Sequence, residues 1–181
     1  MTKIALIIGH NKKAQGVYSK ALQGTEWQYY NRFVEVLKRL EPEMFDVYRR
    51  EPDKTYGAEM RKVLKNINDS KENYPLIVEL HFNSAGESSV EGTEVLAYRF
   101  SKIGIPVGFA FIDTICKKYE TKNRGIKTVE SENDRGGYGI MNSKEPYILI
   151  EPFFGSNDEE AKKFKDVEKF AKIFIDFIKE M

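Results

Sequence analysis

The sequence predicts an α/β fold, with a mixed, mostly parallel twisted sheet carrying helices on both faces. Three observations lead there. Short apolar, β-branched runs of strand length alternate along the chain with stretches whose apolar residues recur every three or four positions. The chain has 181 residues, a length that suits one hydrophobic core and leaves little room for a second. No shift in composition, Pro/Gly linker or internal repeat marks a boundary, so residues 1–181 read as one domain.

Taken in order, residues 3–8 (KIALII) form a continuous apolar run ended by Gly9, the pattern of a strand buried on both faces. Thr25 followed three residues later by Gln28 makes a capping box, so a helix starts near Glu26, and Tyr30, Phe33, Leu37 and Leu40 give it one apolar face. Residues 45–49 and 94–98 are weaker strands; in the second, Glu94, Leu96 and Tyr98 alternate with Val95 and Ala97. Helical patterns cover residues 56–67 and 107–119, and the second of these is apolar on several sides. Residues 76–80 (LIVEL) and 147–150 (YILI) repeat the buried-strand pattern. Asn157 with Glu160 forms a further cap, after which Phe164, Val167, Phe170 or Ala171, Phe174 and Phe177 make one apolar helical stripe to the C-terminus. Residues 83–92 and 121–143 read as long polar loops, the kind of element that carries sites.

Composition excludes several function classes. Lys plus Arg number 29 against 28 Asp plus Glu, a net charge of +1, which argues against nucleic acid as a partner. The single cysteine, Cys116, rules out an internal disulfide and sits in an apolar helical pattern, the setting of a small core residue. No apolar stretch approaches the roughly 18 to 20 residues of a membrane span, and the run at residues 4–8 is too short for the core of a signal peptide. The expectation is a soluble protein made in the cytoplasm without a signal peptide and without a membrane partner. The aromatics, 13% of the chain, fall mostly on core-facing positions and do not by themselves imply a wall-binding module.

The chemistry concentrates at strand ends. The only two histidines, His10 and His81, each stand just beyond the C-terminal end of an apolar strand, and Glu151 repeats the arrangement after YILI. In open α/β sheets the ligand crevice lies outside the carboxyl ends of the strands, so three metal- or proton-competent side chains fall at the edge where a site belongs. Glu26 joins them on a helical wheel, because residues 26, 30, 33, 37 and 40 share the core-facing side. Glu35 is nine residues on, about 900° and so half a turn net, and should face water. A carboxylate on the buried side of a helix start needs a partner, and a metal ion held with His10 and His81 supplies one. Two imidazoles, one carboxylate and an open position form the donor set of a catalytic zinc site. Each residue alone also has a plainer account, a hydrogen-bonded strand-end histidine or a Glu placed for the helix dipole. Glu151, between Ile150 and Pro152, sits in an apolar setting that raises a carboxyl pKa and suits it to proton transfer. Glu79 shares a strand face with His81 and is expected to orient that imidazole, with direct ligation in place of Glu26 as the rival.

The blocks IIGHN, TEWQYYN, LIVELHFNSA, GTEVLAY and ILIEPFFGSNDEE, with NRGIK and GIMNSKEP between the last two, span nearly the whole chain. In that order they resemble the zinc-dependent N-acetylmuramoyl-L-alanine amidases of the amidase-3 family, most closely the catalytic domain of clostridial-type phage endolysins. The resemblance implies that His10, Glu26 and His81 bind one zinc per chain and that Glu151 is the catalytic carboxylate. The implied reaction is hydrolysis of the amide joining the lactyl group of N-acetylmuramic acid to L-alanine. Peptidoglycan is then the partner, a monomer is favoured, and the enzyme reaches the wall after release through a phage holin. Many members of the family carry a separate wall-binding domain, and the reading here is a single catalytic domain without one.

In this reading Asn83 is a donor near the site, and Arg124 or Arg135 holds a stem-peptide carboxylate by bidentate hydrogen bonds. Three other functions compete. A zinc peptidase cutting within the stem peptide uses identical chemistry. A glycosidase with Glu26 and Glu151 as its acid and base leaves both histidines unexplained. The third is a non-catalytic wall-binding module. A serine or cysteine triad is disfavoured, since both histidines are committed at strand ends and Cys116 lies on an apolar helix.

Overall fold

Side-chain chemistry divides the chain into eight strands and six helices over residues 3–181, which the computed structural model describes; residues 1 and 2 of the expected 1–181 unit lie outside the described residues. In chain order these are β1 (Ile4–Ile8), β2 (Tyr18–Ser19), β3 (Gly24–Thr25), α1 (Glu26–Leu40), β4 (Phe45–Arg49), α2 (Tyr56–Asp69) and β5 (Ile77–Leu80). There follow β6 (Thr93–Tyr98), α3 (Gly104–Tyr119), β7 (Asn123–Val129), α4 (Gly137–Asn142), β8 (Tyr147–Glu151), α5 (Asp158–Lys163) and α6 (Val167–Glu180). Six strands form one sheet in the order β4-β1-β5-β8-β6-β7. The first four strands in that order run parallel, β6 is antiparallel to β8, and β7 is parallel to β6. Among the described residues no helix is long and apolar enough to cross a membrane.

The sheet is buried on both sides, and its strands show why. Ile4, Leu6 and Ile8 face one apolar layer with Phe33 of α1, Phe111 of α3 and Phe170 of α6, while Ala5 and Ile7 face the other with Met60 of α2 and Ile140 of α4. A strand covered on both faces is apolar at nearly every position, which is the KIALII, LIVEL and YILI pattern, and the buried exception within it, Glu79, has hydrogen-bond partners. On α1 the Thr25 hydroxyl accepts the Gln28 N–H and the Gln28 side chain accepts the Thr25 N–H, so the predicted capping box fixes the helix start at Glu26. Cys116 is partly buried against the core, as its pattern predicts.

Three expectations are corrected, and one element is new. The segment 121–143 is not one loop: it contains β7 and α4. β7 is an edge strand, where one side needs no pairing and charged residues are tolerated, so only Ile126 and Val129 mark it as a strand. The C-terminal stripe is not one helix, because Asp166 accepts the Lys169 N–H and starts α6 afresh after Phe164 has closed α5. Helix α3 begins three residues early at Gly104; Pro106 falls in its first turn, where the missing N–H has no intrahelical partner to lose. The short hairpin of β2 and β3 carries no apolar alternation and was not foreseen.

Phe174 of α6 is fully buried and packs its ring against Phe33, Phe45, Phe111 and Phe177, with centroids 5.5, 6.0, 6.4 and 6.2 Å away. Phe174→Ala should destabilise the fold by about 3–5 kcal/mol in urea unfolding. A loss below about 1 kcal/mol, the range of ordinary surface substitutions, would contradict this packing account.

Candidate metal centre and active site

The three central strands β1, β5 and β8 lie side by side and parallel, so their carboxyl ends open on one edge of the sheet. His10 follows β1, His81 follows β5, and Glu151 is the last residue of β8. The hairpin of β2 and β3 brings the start of α1 to the same edge, tied by a hydrogen bond from the Glu26 N–H to the Val17 carbonyl at 3.0 Å. There the Glu26 carboxylate meets both imidazoles: Oε2 is 3.2 Å from His10 Nε2, and Oε1 is 2.8 Å from His81 Nδ1 and accepts the Phe82 N–H at 3.1 Å. Ligand atoms of His10, Glu26 and His81 all lie within 4.8 Å of one another, the approach a single ion needs. Glu35, on the opposite face of α1, is exposed and pairs with Arg49.

Two glycines make the convergence possible. A Cβ on Gly9 would fall 2.1 Å from His81 Nε2, inside the imidazole. At Gly16, whose φ is +75°, a Cβ would meet Glu26 Oε2 at 2.6 Å and His10 Cδ2 at 2.8 Å.

Behind the imidazole, Glu79 engages the second ring nitrogen of His81. Its Oε1 lies 3.0 Å from His81 Nε2, while Oε2 accepts the Tyr147 hydroxyl at 2.6 Å and the Tyr56 hydroxyl at 3.2 Å. Arg50 stands 3.9 Å from Glu79, stacks over the Tyr56 ring and forks onto Glu59. Burial opposes the charge on Glu26, yet the hydrogen bonds from His10 and His81 overcome it and hold that carboxyl below its ordinary value. Burial likewise works against a charged His81, and Glu26 and Glu79 outweigh it, raising the imidazole pKa. His81 thus lies between two carboxylates, and an ion bound through Nδ1 would take the place of any proton on that nitrogen. Donor set and fit agree: two imidazoles and a buried carboxylate that, among the described residues, is partnered by those imidazoles and one backbone amide.

Glu151 shares a cavity of 420 Å³ with His10, Glu26, His81, Asn83 and Arg135. Burial pushes its pKa up to about 7, against the lowering influence of Arg135 and His81. Arg135 Nη1 stands 3.3 Å from Glu151 Oε2 without hydrogen-bond geometry, so that buried oxygen has no hydrogen-bond partner among the described residues. The adjacent carboxylate, Glu94 on β6, escaped the sequence reading as a site residue. It accepts hydrogen bonds from Asn83 Nδ2 at 2.8 Å, Arg124 Nε at 2.8 Å and Arg135 Nη2. Burial again opposes its charge, and the two guanidinium groups hold its pKa below the ordinary value. Asn83 and Arg135 thus border the cavity, whereas Arg124 does not line it and lies over the Phe154 ring at 4.9 Å. Glu94, Arg50, Tyr56 and Tyr147 carried no signal in the sequence beyond the alternation of β6 and the apolar run of β8, since their roles depend on which strands become neighbours.

A family model described as N-acetylmuramoyl-L-alanine amidase matches residues 4–179. Among solved structures, the chain is similar to the catalytic domain of the CD27L endolysin targeting Clostridia difficile, at 29% identity and a TM-score of 0.75, covering 99% of this chain and 98% of that one. It is also similar to the CwlD amidase of Clostridioides difficile, solved in complex with the GerS lipoprotein, at 22% identity, TM-score 0.76 and 99% and 98% coverage. The catalytic domain of CwlV, an N-acetylmuramoyl-L-alanine amidase from Bacillus (Paenibacillus) polymyxa, matches at 21% identity, TM-score 0.74 and 99% and 97% coverage. No curated protein sequence matches the chain.

The geometry sets an order of sensitivity for metal binding. Glu26→Ala should abolish tight binding of zinc(II) in a calorimetric titration at pH 7, Glu79→Gln should weaken it about 10- to 100-fold, and Glu35→Ala should leave it unchanged. Loss of binding in Glu79→Ala with retention in Glu26→Ala would transfer the ligand role to Glu79.

Proposed function

The chain belongs to the N-acetylmuramoyl-L-alanine amidase family, and from that premise we propose that it is a zinc-dependent, endolysin-type hydrolase that cuts the amide between the lactyl group of N-acetylmuramic acid and L-alanine in peptidoglycan. The observation that carries this reading is the convergence of His10, Glu26 and His81 at one sheet edge, with Glu151 in the same cavity. In the endolysin role the protein acts on the wall after release through a holin, one zinc per chain and as a monomer, in a single catalytic domain over residues 1–181.

His10 through Nε2, Glu26 through its carboxylate and His81 through Nδ1 would hold the metal, because Glu79 already engages the second nitrogen of His81. Bound zinc supplies Lewis acidity, which polarises a carbonyl and makes water a better acid near pH 7. Glu151 then does the proton work: its unbonded Oε2 accepts the proton of the attacking water and returns it to the departing amine nitrogen. A pKa near 7 suits both halves, since the carboxylate is basic enough to accept and acidic enough to give. Arg135 lies beside Glu151 with its side chain half exposed, placed to hold a carboxylate of the stem peptide. Asn83 borders the cavity with its amide held by Glu94 through Nδ2 and by the Ser84 N–H through Oδ1.

Glu151→Gln keeps size and shape while removing the base, so the variant should fold, bind zinc normally and hydrolyse walls roughly 10²- to 10⁴-fold more slowly. A base must be unprotonated to act, so wild-type kcat/KM should fall as pH drops below about 7, the value to which burial raises Glu151. An unchanged rate in Glu151→Gln would remove it from the chemistry.

The bond itself is read from the products of purified peptidoglycan. Free amines should rise with alanine as the new N-terminal residue while reducing sugar ends stay flat. A different N-terminal residue would indicate a stem peptidase, and rising reducing ends a glycosidase.

A further inference from the structure

Two carboxylates face each other across the ladder between β6 and β8, where Glu94 is paired with Glu151. Both are buried, at 2% and 5% exposure. Like charges directly opposite on neighbouring strands repel, and burial sharpens the conflict, so such a pair persists only if counter-charge is supplied. Counter-charge is supplied unequally. Glu94 takes the guanidinium groups of Arg124 and Arg135 and an N–H of Asn83, whereas Glu151 has the edge of Arg135 at 3.3 Å, with His81 in the same cavity, and keeps an oxygen without a hydrogen bond among the described residues.

The two arginines are not equivalent either. Arg124 is used within the protein: Nε binds Glu94, Nη1 reaches the Glu91 carbonyl at 3.4 Å, and the guanidinium lies over Phe154. Arg135 comes from the connection between β7 and α4, its side chain is 51% exposed, and it borders the cavity. A long, loop-borne guanidinium left to itself samples many rotamers, and fixing it is what makes two-pronged recognition of a carboxylate tight. Glu94 fixes it through Nη2, with a longer contact from Nη1 to Asn83 Oδ1 at 3.5 Å. Two guanidinium groups on one carboxylate also leave surplus positive charge at the cavity wall beside Glu151.

We propose that Glu94 is a positioning residue: it clamps Arg135 at the cavity wall so that the remaining guanidinium N–H groups form a ready site for a carboxylate of the substrate's stem peptide, and it thereby keeps Glu151 free of a hydrogen bond. The proposal rests on the amidase reading and adds to it the substrate feature that this site selects.

The test compares hydrolysis of two muramoyl-L-alanyl peptides, identical except that the residue after alanine carries a free carboxylate in one and the corresponding amide in the other. Wild-type enzyme should show a KM about tenfold or more lower for the free carboxylate, the scale of a charge-assisted pair, with similar kcat. Arg135→Gln should lose that preference. Glu94→Gln should lose most of it through KM, and Glu94→Asp, which restores the charge, should regain part. Equal kcat/KM for both peptides in the wild type overturns the proposal without any variant, as does full preference in Glu94→Gln. Should Glu94→Gln fail to fold, Glu94→Asp and Arg135→Gln decide the matter in the same way, full preference in either counting against it. Cleavage of neither peptide at the lactyl–alanine bond removes the amidase reading and this proposal together, an outcome distinct from cleavage of both without preference.

Discussion

The site depends on one buried carboxylate. Glu26 is 3% exposed, and its partners are two imidazoles and the Phe82 backbone amide, with no lysine or arginine paired to it among the described residues. A buried charge of this kind costs several kcal/mol unless its partners are held in place. Much of the surrounding architecture meets that condition. The capping box sets where α1 begins, the hairpin of β2 and β3 ties that beginning to the strand ends, and Gly9 and Gly16 let the rings and the carboxylate close on one another. An ion held by these three groups would supply a stronger and more directional counter-charge than protons do.

Around this centre the protein gives carboxylates of similar chemistry different environments. Glu79 is enclosed by Tyr56, Tyr147 and His81, and Glu94 by two guanidinium groups and an amide, so both stay ionised and act as fixed struts. Glu151 alone is buried with little compensation, and its carboxyl is pushed up to about 7. Environments that drive neighbouring carboxyl groups apart in acidity are what allow one to move protons while the others only hold position.

How much of this could be read from the sequence follows from the range of the forces involved. His10, His81 and Glu151 were legible because each adjoins an apolar run whose end is visible locally, and Glu26 because a helical wheel separates it from Glu35. Glu94 was not, since its importance arises from register: it gains meaning only when β6 turns antiparallel and sets it opposite Glu151. The strand β7 was hidden by the charges an edge tolerates, and the break between α5 and α6 by an apolar stripe that continues past a local cap at Asp166. The rank of Arg124 and Arg135 also needed the fold, because an arginine's role depends on whether its partner is a protein carboxylate or open cavity.

The distances along the chain between the converging groups also bear on how the protein folds. Glu26 and His81 are 55 positions apart, and they meet only after β1 and β5 have paired and α1 has docked. Such contacts close large loops and form late, so a collapsed chain without that pairing offers an ion nothing better than scattered side chains. An ion held by these three residues would therefore meet a finished native state, slowing its unfolding while leaving the refolding rate nearly untouched.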